Sequence, residues 1–211
     1  MMTTYLKLCL VTERYDKDFI QDAIHGGVTL IQYRDKTKSF DEKLHAAKCL
    51  KDLLNAHNIP FIINDNIELA KIVDADGVHL GQLDRSPEIA REILGPDKII
   101  GLSIENLEQL DTANQLNSIN YVAASALFPT PSKTNCEKYW GLDGLKDFVS
   151  RSIHPVITIG GIALSNVFDV MQCGVVGVAV ISAIESNYNP EYAARQLMQE
   201  IVRGESHARK T

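Results

Sequence analysis

The chain has 211 residues and a formal net charge of −6, with 45% hydrophobic and 23% charged residues. That is ample for a buried core in one large domain or two small ones. The acidic balance argues against an extended nucleic-acid groove. No charged-then-apolar leader opens the chain and no apolar run is long enough for a bilayer, so a cytoplasmic protein without nucleic-acid or membrane partners is expected.

Eight short apolar runs rich in β-branched residues follow one another: "LKLCLVT", "TLIQYR", "PFIIND", "GVHLG", "KIIGLS", "YVAAS", "PVITIGG" and "GVAVIS". Most are continuous rather than alternating, as parallel strands buried on both faces are. Amphipathic stretches separate them. In "SFDEKLHAAKCLKDLLNAHN", Phe40, Leu44, Ala47, Leu50 and Leu54 mark one helical face. "SPEIAREILG" opens with Ser86 as N-cap and Pro87 at the first helical position, and ends on Gly95. The alternation, without a long linker, predicts a compact single-domain (β/α)8 barrel over residues 1–203, with a frayed polar tail at 204–211. A doubly wound open sheet is the rival, but no GxGxxG follows the first strand.

The four cysteines form no CxxC pair and the six histidines no HxxxH or HExxH spacing. Cys9 and Cys173 read as small core residues. Cys136 lies in a polar loop, where an ordinary thiol is a simpler reading than a reactive one. His79, inside the fourth strand, reads as a hydrogen-bonded core residue rather than a base. Tyr139 and Trp140 read as packing anchors rather than a lid.

In a barrel, functional groups gather at the C-terminal ends of the strands. Gln32, Arg34 and Lys36 leave the second strand with a period of two, so they share one side. A planar fork beside a mobile point charge suits phosphate or pyrophosphate. The ordinary alternative is a salt-bridged strand end with Asp35. Asn64 and Asp65 close the third strand, Gln82 and Asp84 follow the fourth, and Ser103 ends the fifth. Asp65 and Asp84 together could take Mg²⁺. Taken singly, Asp65 could instead cap the helix "IELAKIV", and Asp84 could be a loop or capping residue. After the sixth strand, two prolines in "FPTPSK" stiffen the segment that presents Thr130, Ser132 and Lys133. Gly160–Gly161, with the N–H groups at Ile181–Ser182, could hold a phosphate or could simply be a tight turn.

"IQYRDK", "FIINDNIELAKIVDADGVHLGQLD", "GLS", "FPTPSK", "ITIGGI" and "GVAVISAI" resemble, in order from about residue 9 to 184, the motifs of the thiamine-phosphate synthase family. The resemblance implies condensation of a hydroxymethylpyrimidine pyrophosphate with a thiazole phosphate, by departure of pyrophosphate and capture of the cation that remains. It implies that Gln32, Arg34, Lys36, Asn64 and Ser103 hold the pyrimidine pyrophosphate, with Lys133 also on the leaving group. Arg34, Lys36, Ser103 and Lys133 would be the catalytic set. Asp65 and Asp84 would ligate Mg²⁺. Thr130, Ser132 and backbone N–H groups at Gly161, Ile181 and Ser182 would take the thiazole phosphate. Self-association is left open.

The family usually shows GxGPxFPTxTK where this chain reads "AASALFPTPSK". Ala124 and Ser125, in place of glycines, are expected to narrow the site, whereas Ser132 keeps a hydroxyl. The rivals are a thiazole tautomerase of the same superfamily and a non-catalytic phosphometabolite-binding barrel. The presence of both carboxylates beside Arg34, Lys36, Asn64 and Lys133 favours the synthase.

Overall fold

The computed structural model describes residues 3–130 and 138–208. Strands β1 (Leu8–Thr12), β2 (Leu30–Tyr33), β3 (Phe61–Asn64), β4 (Gly77–Leu80), β5 (Ile99–Ile104), β6 (Tyr121–Ser125), β7 (Val156–Ile159) and β8 (Gly177–Val180) each pair in parallel with the next. β8 returns to β1, with Cys9 opposite Ala179, so the sheet is closed and the open-sheet rival is excluded. All eight expected strands are present.

The pleat sorts their side chains into two layers. Leu8, Leu10, Ile31, Ile63, Val78, Val122 and Val178 point outward into the layer shared with the helices. Cys9, Val11, Leu30, Ile62, Tyr121, Ala123, Ile157 and Ala179 fill the barrel interior. Gly101 makes room for the largest of these: a Cβ there would stand 2.2 Å from the Tyr121 ring and 2.5 Å from His79 Nδ1. The same alternation carries Gln32, Asn64, His79, Ser103 and Ser125 inward at the upper ends of their strands, where interior becomes mouth.

Outside lie α1 (Lys17–His25), α2 (Phe40–His57), α3 (Ile67–Ile72), α4 (Pro87–Leu94), α5 (Leu107–Ala113), α6 (Gly141–Arg151), α7 (Val167–Met171), α8 (Ser182–Glu185) and α9 (Pro190–Ala208). Helix α4 has the expected caps: the Ser86 hydroxyl accepts from Ile89 N–H, Pro87 is the first residue, and Gly95 ends it. Helix α2 starts with a capping box between Ser39 and Glu42. Its buried face is Ala46, Ala47, Leu50 and Leu54, with Leu44 partly covered. Phe40 is exposed rather than part of that face, because it precedes the turn that first meets the sheet.

The stretch expected as a tail from residue 204 starts within a helix. Helix α9 continues through Ala208, and a Cβ on Gly204 would lie 2.7 Å from the Phe168 carbonyl oxygen. One residue on, Glu205 accepts from Lys7 Nζ at 2.7 Å, which ties this end to the entry of β1. Cys9 and Cys173 are buried as expected, and burial pushes the Cys9 thiol up to about 12. Cys136 lies outside the described residues. Among the described residues no helix is long and apolar enough to cross a membrane.

Candidate active site

A cavity of about 510 Å³ opens at the C-terminal ends of the strands, within the range of small-molecule sites. Its wall includes Gln32, Arg34, Lys36, Asn64, Asp65, Asp84, Ser103, Thr130, Gly161, Ile181 and Ser182. These are all the expected site residues that fall in the described part of the chain. Ser132 and Lys133 lie outside it. Val11, Ala123, Ile157 and Ala179 make an apolar floor.

Arg34 leaves β2 with its N–H still donating to the Thr12 carbonyl, at 2.8 Å, so the sheet ladder sets its backbone. The salt bridge considered for this strand end does not engage the two site cations. Asp35 pairs with Lys38 at 2.6 Å, and among the described residues neither Arg34 nor Lys36 has a carboxylate partner. Two cations at a cavity wall, neither tied into a direct ion pair among the described residues, suit an anion.

On the same wall stand the two carboxylates. Asp65 is not the helix cap: Asn66 is, its Oδ1 accepting from Leu69 N–H at 2.8 Å. Asp65 adopts left-handed backbone, φ 63°, while its N–H donates to the His79 carbonyl at 2.9 Å. Asp and Asn tolerate that conformation better than other non-glycine residues, and Asn58 and Asp74 adopt it too. Asp84 is not a helix cap either; its Oδ2 accepts from Gly81 N–H at 2.7 Å, inside the β4–α4 turn. Burial, then the charge and proximity of Asp84, push the Asp65 carboxyl up to about 6, against the opposing pull of Arg34 and Lys36. Two carboxylates that crowd one another in this way are relieved by a cation, and hard oxygen donors suit Mg²⁺.

Behind them runs a buried polar line. His79 Nδ1 lies 2.9 Å from the Tyr121 hydroxyl, and Nε2 lies 2.9 Å from the Ser103 hydroxyl. Complete burial drives the Tyr121 phenol far up, so it stays protonated. Gln82 Nε2 donates to the Ser103 carbonyl at 2.6 Å, so both ends of Ser103 are fixed. His79 is thus a hydrogen-bonded wall residue, 7% exposed, as the sequence suggested.

The opposite wall is built from backbone and small side chains. Leu127 N–H donates to the Ile159 carbonyl (2.8 Å) and Phe128 N–H to the Gly160 carbonyl (3.1 Å), so the β6–β7 pairing continues beyond the strands. Gly160 and Gly161 have φ of 105° and 65°; a Cβ on the first would sit 2.7 Å from Ala126 Cβ, and on the second 2.8 Å from Phe128 Cβ. Glycine is required there by conformation and by space. Asn166 steadies the turn, donating to the Gly161 carbonyl and accepting from Ala163 N–H, each at 2.9 Å.

Ala124 does not narrow the cavity. It points outward and is wholly buried in the outer layer, whereas Ala123, Ser125 and Ala126 reach the wall. Strand phase decides this, and β6 had no polar alternation to reveal it. Trp140 packs edge-on against Phe148 with centroids 5.0 Å apart, which makes it an anchor. Glu105, Gln109 and Leu83 also line the cavity and were missed. Glu105, two residues past Ser103, carried the period-two signal that identified Lys36. A separate group, Asp22, His25 and Glu191, gathers where α1 ends and α9 begins, and Glu191 there also pairs with Arg195.

A closed (β/α)8 barrel with two cations and a carboxylate pair on one wall of its mouth, and glycine-built turns on the other, has the make-up of an enzyme scaffold for phosphorylated small molecules. The profile of the thiamine monophosphate synthase family matches residues 8–184, and the chain belongs to that family. It is 46% identical over 182 residues to thiamine-phosphate synthase of Vibrio campbellii, covering 86% of this chain and 89% of that one. Against the thiamine-phosphate synthase of Chlamydia caviae it is 40% identical over 210 residues, 97% of this chain and 99% of the other. Among solved structures it is similar to thiamine phosphate pyrophosphorylase from Pyrococcus furiosus, at 33% identity and TM-score 0.86, covering 96% and 98% of the two chains.

Proposed function

We propose that the protein is a Mg²⁺-dependent thiamine-phosphate synthase. It joins 4-amino-2-methyl-5-hydroxymethylpyrimidine pyrophosphate to 4-methyl-5-(2-phosphoethyl)thiazole, giving thiamine phosphate and pyrophosphate. The observation that carries this is the gathering of two cations, Arg34 and Lys36, with the crowded Asp65–Asp84 carboxylates on one cavity wall. A tautomerase or a binding-only barrel has no need of that combination.

Asp65 and Asp84 would hold Mg²⁺, which supplies charge neutralisation to the departing pyrophosphate. Arg34 and Lys36 bind that group from the β2 side, and Lys133 is assigned to it by resemblance. Gln32, Asn64 and Ser103 orient the pyrimidine, Ser103 being held by His79 and Gln82. Thr130 and Ser132, with N–H groups at Gly161, Ile181 and Ser182, take the thiazole phosphate. When the carbon–oxygen bond to pyrophosphate breaks, its electron pair leaves with the pyrophosphate. The thiazole nitrogen then supplies the pair for the new carbon–nitrogen bond. No proton abstraction is required, which fits a wall of anion binders better than a nucleophile–base pair. The apolar floor keeps water from the cation. A cytoplasmic setting goes with this reading.

The test is incubation with both phosphorylated precursors, with and without Mg²⁺, quantifying thiamine phosphate and pyrophosphate. Equal yields of both, abolished by chelation, are expected. Absence of product from demonstrably folded protein would overturn the reading.

A further inference from the structure

Asp35 stands in sequence between Arg34 and Lys36, which line the cavity, yet it is not part of the cavity wall. Its side chain is 0% exposed. The carboxylate accepts four hydrogen bonds: from Thr37 N–H at 2.9 Å, the Thr37 hydroxyl at 3.1 Å, Lys38 N–H at 3.0 Å and Lys38 Nζ at 2.6 Å. Just past the end of β2, Arg34 and Lys36 line the cavity while Asp35 between them does not, which continues the alternation of the strand. With Asp35 drawn into the protein, Arg34 and Lys36 on either side turn to the cavity.

The bonds also fix the loop along its length. Arg34 is held to β1 through the Thr12 carbonyl, Thr37 and Lys38 are gathered by Asp35, and Ser39 is locked by the α2 capping box. Lys36 is the residue left between these anchors. Lys38 is drawn to Asp35 and stands 5.6 Å from the centre of the Tyr15 ring, off the cavity wall. A buried carboxylate is costly unless its lone pairs are filled, and these are. Burial alone would raise the Asp35 carboxyl, but the Lys38 and Thr37 hydrogen bonds outweigh it and hold it well below the usual range.

We propose that Asp35 is a positioning residue: it folds the β2–α2 loop so that Arg34 and Lys36 converge on the pyrophosphate of the substrate. This rests on the function proposed above. It makes a prediction opposite in sign to simple electrostatics. An acidic group beside an anion site repels the anion, so if Asp35 acted only as a charge, neutralising it would tighten binding. If it positions the cations, neutralising it weakens binding although the local charge becomes more favourable.

The experiment is calorimetric titration of inorganic pyrophosphate, with Mg²⁺ in excess, into wild-type, Asp35→Asn, Asp35→Ala and Thr37→Val proteins. Steady-state KM for each substrate would be measured alongside. Wild-type protein should bind. Asp35→Ala should weaken binding by about 10–100-fold, the range found for groups that orient ligands from behind, and Asp35→Asn by less. Thr37→Val alters no charge and should still weaken it by ~2-fold, in line with loss of one modest hydrogen bond. KM for the thiazole phosphate should stay unchanged. If Asp35→Ala does not fold, Asp35→Asn and Thr37→Val decide the matter. Equal or tighter binding by Asp35→Asn overturns the positioning role and leaves the proposed function standing. Failure of wild-type protein to bind pyrophosphate overturns both.

Discussion

Strands β2 to β4 and strands β6 to β8 furnish opposite walls of one cavity with different chemistry. The first group contributes formal charges: Arg34, Lys36, Asp65 and Asp84. The second contributes glycine turns, backbone N–H groups and the small side chains of Ala123, Ser125 and Ala126. A leaving pyrophosphate gains charge as its bond breaks, and fixed charges with a cation respond to that change. A phosphate that only has to be held in place is served by oriented dipoles, which cost little desolvation. On the proposed function, the difference between the walls would follow the difference between a group that reacts and one that anchors.

The largest test of that division is Asp84→Asn. Turnover should fall by about 10²–10³-fold, as when one preorganised electrostatic group is lost, with little change in melting temperature because Asp84 lies in a loop at the cavity wall, outside the hydrophobic core, and asparagine keeps an acceptor for Gly81 N–H. Wild-type activity with an unchanged Mg²⁺ requirement would erase the distinction between the walls. Gly161→Ala probes the other wall. Its left-handed φ and the crowding by Phe128 should raise KM for the thiazole phosphate by ~10-fold through misplacement, and cost about 1–3 kcal/mol of stability. Pyrophosphate affinity should not move; if it does, the walls are not separable.

The smallest effect concerns Asp65. Its folded pKa of about 6 lies above the ordinary carboxylate value, near ~3.9 in an unfolded chain. The folded state therefore binds the proton more tightly. This contribution to stability is full below about pH 4 and is lost as pH rises through about 6. Asp65→Asn should melt higher than metal-free wild-type protein at pH 7, by about 2–4 °C once solvent screening at the cavity wall is allowed for. The gap should close towards pH 4. A gap that widens on acidification would show that Asp65 is stabilised as the anion and that the carboxylates do not crowd one another.

The barrel was legible because each strand is a continuous β-branched run and the helix between them carries its own caps, as Ser86, Pro87 and Gly95 do for α4. The charged wall was legible because Gln32, Arg34 and Lys36 keep a period of two beyond the strand end. Other features depend on contacts that local sequence does not encode. Asp65 and Asn66 are both competent caps, and the choice is made by the bond from Asp65 N–H to the His79 carbonyl on the next strand. His79 and Tyr121 are 42 residues apart and meet only inside the closed barrel. The last turn of α9 owes its order to Gly204 against α7 and to Lys7, at the far end of the chain.

The extra rungs joining Leu127 to Ile159 and Phe128 to Gly160 have a consequence for inheritance. A methyl group added at Gly160 would strike Ala126, and one at Gly161 would strike Phe128 and Pro129. Neither glycine can take a side chain unless the facing residues of the other segment give way. Substitutions in either segment are therefore expected to come with compensating ones in the other, though the two stretches lie some thirty residues apart in sequence.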